Sequence, residues 1–140
     1  MSEQNVQLHR SLIEAFNERD LEAIIAKCDP RIEYHSVMTV PGGDVYKGHD
    51  GMRRFFRDMD DAWAQIRAEP EAYFEVGEHT LLFYVLHGRG HQSGAEVAMP
   101  FAQVIRWRDG FVLDLKIYAD REIARRDLGA SENALEPIAP

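Results

Sequence analysis

Four side chains of this sequence, Tyr34, His35, His49 and Gln103, are of types that move protons or steady charge on oxygen. An imidazole titrates near neutral pH, so His35 or His49 would take up and return a proton. A phenol and a carboxamide stay neutral there and donate hydrogen bonds, so Gln103 with Tyr34 would steady an oxyanion. His49 precedes Asp50, and the pair reads either as acid and base or as a loop residue beside a helix cap. Tyr34 and His35 are neighbours in an extended run, where side chains alternate and only one points inward. Ile32 as apolar marker puts Tyr34 on the inner face and His35 opposite, and which of the two faces a pocket stays open. Val97, Met99, Phe101, Gln103, Ile105 and Trp107 share one face of another such run, and Gln103 is its lone polar member. A buried amide without partners costs about 1–3 kcal/mol, so Gln103 should meet a ligand, a water or a neighbouring strand. A bulge near Pro100 would invert that face. The candidate ligand contacts are Trp63, Phe83, His87, Met99, Phe101 and Ile117, with His87 extending the apolar face of Leu81, Phe83 and Val85.

The elements that would position these groups follow from periodicity. Leu8, Leu12, Ala15 and Phe16 recur at helical spacing, and Asp20 is placed to cap a second helix that buries Leu21, Ile24 and Ile25. Pro30 disfavours helix at Asp29, so a strand is predicted from Arg31 to Val37. Thr39 to Lys47 reads as a loop around Pro41-Gly42-Gly43-Asp44. Asp50 is expected to cap a third helix carrying Met52, Phe55, Phe56, Met59, Ala62, Trp63 and Ile66 on one face. Strands are then predicted over Ala72–Val76, Thr80–Arg89, Val97–Trp107 and Phe111–Ala119, with Asp109-Gly110 as a tight hairpin turn. A short helix, Arg121 to Leu128, ends at Gly129. Three helices before a mostly antiparallel sheet, without βαβ alternation, give an α+β class.

With 140 residues, 45% of them apolar, the chain has the size and composition of one globular domain. A formal net charge of −8 argues against nucleic acid as a partner, because phosphate binding needs clustered Lys and Arg. No apolar run approaches the roughly 20 residues of a membrane span, and the start lacks a signal-peptide pattern. Cys28 stands alone, which suits a cytoplasmic setting, and its place at a helix end suits a buried structural thiol. Histidines spread over separate elements without an HxH or HExxH motif give no metal site, and no cofactor is expected.

The chain resembles the nuclear transport factor 2-like superfamily, in its SnoaL-like and ketosteroid isomerase-like branch. The resemblance rests on Phe16–Ala23, on Cys28–His35, on Tyr46–Met52, and on Trp107–Gly110 with Ile117–Asp120. It implies a cone-shaped, cystatin-like α+β domain over residues 1–129, three helices packed on a curved sheet around a pocket, followed by a tail at 130–140. It also implies a homodimer formed through the outer face of the sheet. Ketosteroid isomerases carry an Asp base at the position of Tyr34, an oxyanion-binding Tyr near Leu12 and a protonated Asp near Gln103. Tyr34 is a poor replacement for a carboxylate base, so that reaction is not expected. The Asp of limonene epoxide hydrolases falls near Ile117, and the acids nearest a polyketide cyclase base, Asp114 and Asp120, have the outward parity.

The expectation is therefore a pocket for a small apolar ligand or substrate. As an enzyme it would carry out isomerisation, cyclisation or dehydration of a carbonyl compound, with His35 or His49 moving the proton. The alternatives are a non-catalytic ligand-binding or interaction domain, and a hydrolase or hydratase with a water held by His and Tyr.

Overall fold

The computed structural model describes residues 2–36 and 44–129. The elements are α1 (Ser2–Asn17), α2 (Leu21–Ala26), β1 (Cys28–Ser36), β2 (Asp44–Lys47), α3 (Gly48–Ala62), β3 (Trp63–Val76), β4 (His79–Gly90), β5 (Glu96–Arg108), β6 (Phe111–Tyr118) and α4 (Arg121–Asp127). The strands form one sheet in the order β2-β1-β6-β5-β4-β3. Its pairs are antiparallel except β1 with β6, which run parallel. The α+β class expected from the sequence is the class observed.

Local chemistry explains the joints. Arg19 takes a positive φ of 59° to end the turn after α1, and the Asp20 side chain accepts from Ala23 N at the start of α2. Asp109 and Gly110 take φ of 54° and 81°, the left-handed pair that a tight β5–β6 hairpin needs. Asp120 accepts from the N–H groups of Glu122 and Ile123 and so opens α4.

The sheet is covered on both faces. On one, Val6, Leu12 and Ile13 of α1 and Met52, Phe55, Phe56 and Met59 of α3 build the main core against the strands. On the other, Ala124 of α4 and Leu128 at its C-cap pack over Phe74, Leu81, Phe83, Ala102 and Val104. Arg121 and Arg125 add their guanidinium planes above the Phe83 ring, at 4.9 and 5.0 Å.

The third helix is shorter than its spacing implies. It stops at Ala62, and Trp63 and Ile66 belong to β3, whose pairing with β4 claims the chain despite a helix-compatible pattern. Asp50 lies in the first turn of α3, where its charge suits the helix start, while Lys47 holds the cap position without a side-chain bond. Asp44–Lys47, expected as loop, pairs with β1 as a short strand. The Pro41-Gly42-Gly43 turn and the 130–140 tail lie outside the described residues. Strand β5 pairs with β4 in continuous register across Pro100, so no bulge inverts its faces.

Gly51 sets how closely α3 approaches β2. A Cβ there would lie 2.8 Å from the Tyr46 carbonyl carbon and 3.3 Å from its Cα. Backbone cannot swing aside as a side chain does. Gly51→Ala is therefore expected to destabilise by about 1–3 kcal/mol although alanine is the better helix former. Urea unfolding checks this, and a higher midpoint than wild type would show that the α3–β2 contact yields freely.

Candidate functional site

A cavity of about 50 Å³ lies between α1, α3 and the concave face of the sheet. Its walls are apolar, among them Leu12, Phe16, Met52, Phe55, Phe56 and Leu86, and its polar side chains are Tyr34, Tyr84 and Gln103, with the Cys28 thiol. Parity aims them. Tyr34 alternates inward with Ile32 on β1, Tyr84 with Leu82 and Leu86 on β4, and Gln103 with Phe101 and Ile105 on β5.

Behind Gln103 runs a buried polar chain. The Trp107 indole N–H donates to Thr80 Oγ1 at 2.8 Å. Thr80 Oγ1 lies 2.8 Å from His9 Nδ1, and His9 Nε2 lies 2.7 Å from Gln103 Oε1. Gln103 also hydrogen-bonds the Tyr84 hydroxyl, and Ser36 that of Tyr34. His9 and Thr80 are fully buried. Burial pushes the His9 pKa down to about 4, against the opposing pull of its bond to Gln103, so the ring is neutral at physiological pH. Burial raises both phenols well above the usual tyrosine range, and proximity to Tyr84 raises Tyr34 further. The Cys28 thiol, donating to Ile24 O at 3.3 Å, is pushed up to about 12 and is no nucleophile near neutral pH.

The other sequence candidates fall elsewhere. His35 stands on the opposite face from Tyr34, 3.5 Å from Asp114 Oδ1 and 3.7 Å from Glu33 Oε1. His49 Nε2 is 2.9 Å from the Cys28 carbonyl oxygen, a bond that ties the start of α3 to β1. Neither histidine reaches the cavity, which corrects their assignment as its proton carriers. Phe83 points to the α4 side, because β4 is buried on both faces and its apolar run does not reveal the inner one. Phe101 and Ile117 are buried in the main core, and Met99 packs against it, without lining the cavity.

Trp63 and His87 border a separate, open cleft of about 530 Å³ at the far end of β3 and β4. A Cβ on Gly88 would lie 2.8 Å from the Trp63 ring, so glycine lets the indole lie against the strand. His87 Nε2 is 2.8 Å from Glu69 Oε1. Asn17 holds the strand between cleft and cavity by bonding both the N–H and the C=O of Ala68, at 2.8 and 2.9 Å. Arg19 pairs with Asp60 and lies over the Phe56 ring at 5.2 Å. The cleft is larger, yet the buried polar chain ends at the inner cavity, and chemistry belongs where aligned groups converge. Among the described residues no group of three or more His, Cys, Asp or Glu could hold a metal ion.

Sequence reasoning missed His9, Thr80 and Tyr84. One signal was present for His9: it lies three residues after Val6 and four before Ile13, inside the apolar stripe of α1. Nothing comparable distinguished Tyr84 within Leu81–Leu86.

A family model, that of the SnoaL-like domain, matches residues 9–115. No protein of curated function matches the sequence. Among solved structures, an NTF2-like protein of unknown function from Burkholderia pseudomallei is 25% identical, with 93% of this chain and 100% of that one covered and a TM-score of 0.77. TerC co-crystallised with polyporic acid is 20% identical over 89% of this chain and 97% of its own, with a TM-score of 0.74. A polyketide cyclase from Xanthomonas campestris, so described only provisionally, is 18% identical over 91% and 98%, at 0.73. These likenesses show a shared NTF2-like fold. No helix among the described residues is long and apolar enough to cross a membrane.

Proposed function

The chain belongs to the SnoaL-like domain family, and on that premise we propose that it binds a small, largely apolar molecule in the inner cavity and holds an oxygen of it with Tyr34 and Tyr84. The observation that carries this reading is that two phenols, Tyr34 and Tyr84, line one small and mostly apolar cavity. Apolar walls supply affinity, and a few placed polar groups supply orientation. The volume of about 50 Å³ suits a molecule of a few heavy atoms.

Proton-transfer chemistry on the same molecule is a second reading, favoured by two phenols lining one cavity, which would together steady an enolate oxygen. It requires a base, and His35 and His49 stand away from the cavity. Binding alone therefore takes precedence. We retain a cytoplasmic homodimer as part of the proposal, with sedimentation velocity as its check; α4 already covers part of the outer sheet face.

The test is an NMR titration with 2-butanone and cyclopentanone. Shifts should cluster on Tyr34, Tyr84 and Phe56, and Ala68→Leu, which puts a larger side chain on the cavity wall, should weaken binding about tenfold or more. Shifts scattered over the surface, or indifferent to Ala68→Leu, would overturn the reading. Deuterium exchange at the ketone α-carbon faster than in buffer would move the conclusion to the proton-transfer reading.

A further inference from the structure

Trp107 can only donate a hydrogen bond, and this constrains every proton beyond it. Its N–H occupies Thr80 Oγ1 as acceptor. The Thr80 hydroxyl proton then has one buried acceptor within reach, His9 Nδ1 at 2.8 Å. The neutral His9 ring must carry its own proton on Nε2, which donates to Gln103 Oε1 at 2.7 Å. With its oxygen so engaged, the Gln103 carboxamide turns its NH2 group toward the Tyr84 hydroxyl. Accepting there would leave the Tyr84 proton free for the cavity that both side chains line.

The reverse order fails on one atom. If His9 carried its proton on Nδ1, both Trp107 and His9 would donate to Thr80, and the buried Thr80 hydroxyl proton would have no acceptor among the described residues. Unpaired buried donors are the costly case.

We infer that the chain Trp107–Thr80–His9–Gln103–Tyr84 polarises the cavity, so that its Gln103–Tyr84 end presents a donor and selects neutral molecules whose polar atom is a hydrogen-bond acceptor, such as a ketone, aldehyde or cyclic ether. His9 serves as a positioning residue: it touches no ligand and sets which way Gln103 faces. The inference rests on the pocket reading above and goes beyond it by naming the class of molecule and by excluding pure donors.

Two measurements test it. In protein labelled with ¹⁵N-histidine, His9 Nδ1 should show the shift of an unprotonated ring nitrogen and Nε2 that of a protonated one, with no ligand added. Three probes of near-equal size then read selectivity: cyclopentanone (acceptor), cyclopentane (neither) and pyrrole (donor). Cyclopentanone should bind about tenfold tighter than cyclopentane, and pyrrole no tighter than cyclopentane. An Nδ1-protonated His9, or pyrrole as the preferred probe, overturns this inference and leaves the pocket reading standing. Failure of all three to bind, with His9 protonated on Nε2, overturns the pocket reading beneath it.

Discussion

Taken from pH 7 to about pH 4.5, the protein is expected to lose about 2 kcal/mol of folding stability through His9 alone. The unfolded chain protonates this histidine around 6.5, whereas the folded protein holds it neutral until about 4. Between those values the unfolded state binds the extra proton, so acid favours unfolding. The contribution is intact above 6.5, falls across the interval, and is exhausted below about 4. At roughly 1.4 kcal/mol per pKa unit the whole span is worth about 3 kcal/mol. Among the described residues no charged side chain donates to or accepts from the ring: its contacts are Thr80 and Gln103, with Tyr73 and Trp107 edge-on at 5.3 and 6.4 Å. Urea unfolding at several pH values, run in parallel on His9→Gln, isolates the effect. The two proteins should diverge above about pH 5 and converge toward pH 4. Parallel curves would show that His9 is not buried as the structure has it.

The second large effect lies one link along. Thr80→Val keeps the shape of the side chain and removes its hydroxyl, leaving the Trp107 N–H and His9 Nδ1 buried without partners. Each such group costs about 1–3 kcal/mol, so a loss of about 2–4 kcal/mol is expected. Thr80→Ser retains the hydroxyl and gives up one methyl, for about 1 kcal/mol. The contrast between the two variants in thermal or urea unfolding is the readout. Equal stability of the valine and serine proteins would show that the chain contributes nothing beyond packing.

Much of the scaffold was legible because its signals are local. The stripe from Met52 to Met59 needs only helical geometry to mark the inner face of α3. Gln103 could be aimed inward from sequence because β5 keeps its register with β4 across Pro100, and the structure puts that side chain on the cavity wall. The same rule of two pointed from Ile32 to Tyr34 but left His35 open, and only the structure puts Tyr34 on the cavity wall. His35 and His49 were attractive because imidazole titrates near neutral pH, a property of the residue type that says nothing of where the side chain lies. Their partners, Asp114 and the Cys28 carbonyl, belong to other elements.

By itself the sequence determined the α+β class, the Asp109-Gly110 hairpin, the cap at Asp20 and the inward parity of β5, since each depends on neighbours within a few residues. The inner face of β4 was decided only when α4 folded over Leu81 and Phe83, because a strand buried on both sides carries no alternation. Tertiary structure alone also brought His9 to Thr80 and Gln103, 71 and 94 positions away. Those contacts exist because a buried histidine must satisfy both ring nitrogens, and the partners that do so come from strands whose register no local pattern encodes.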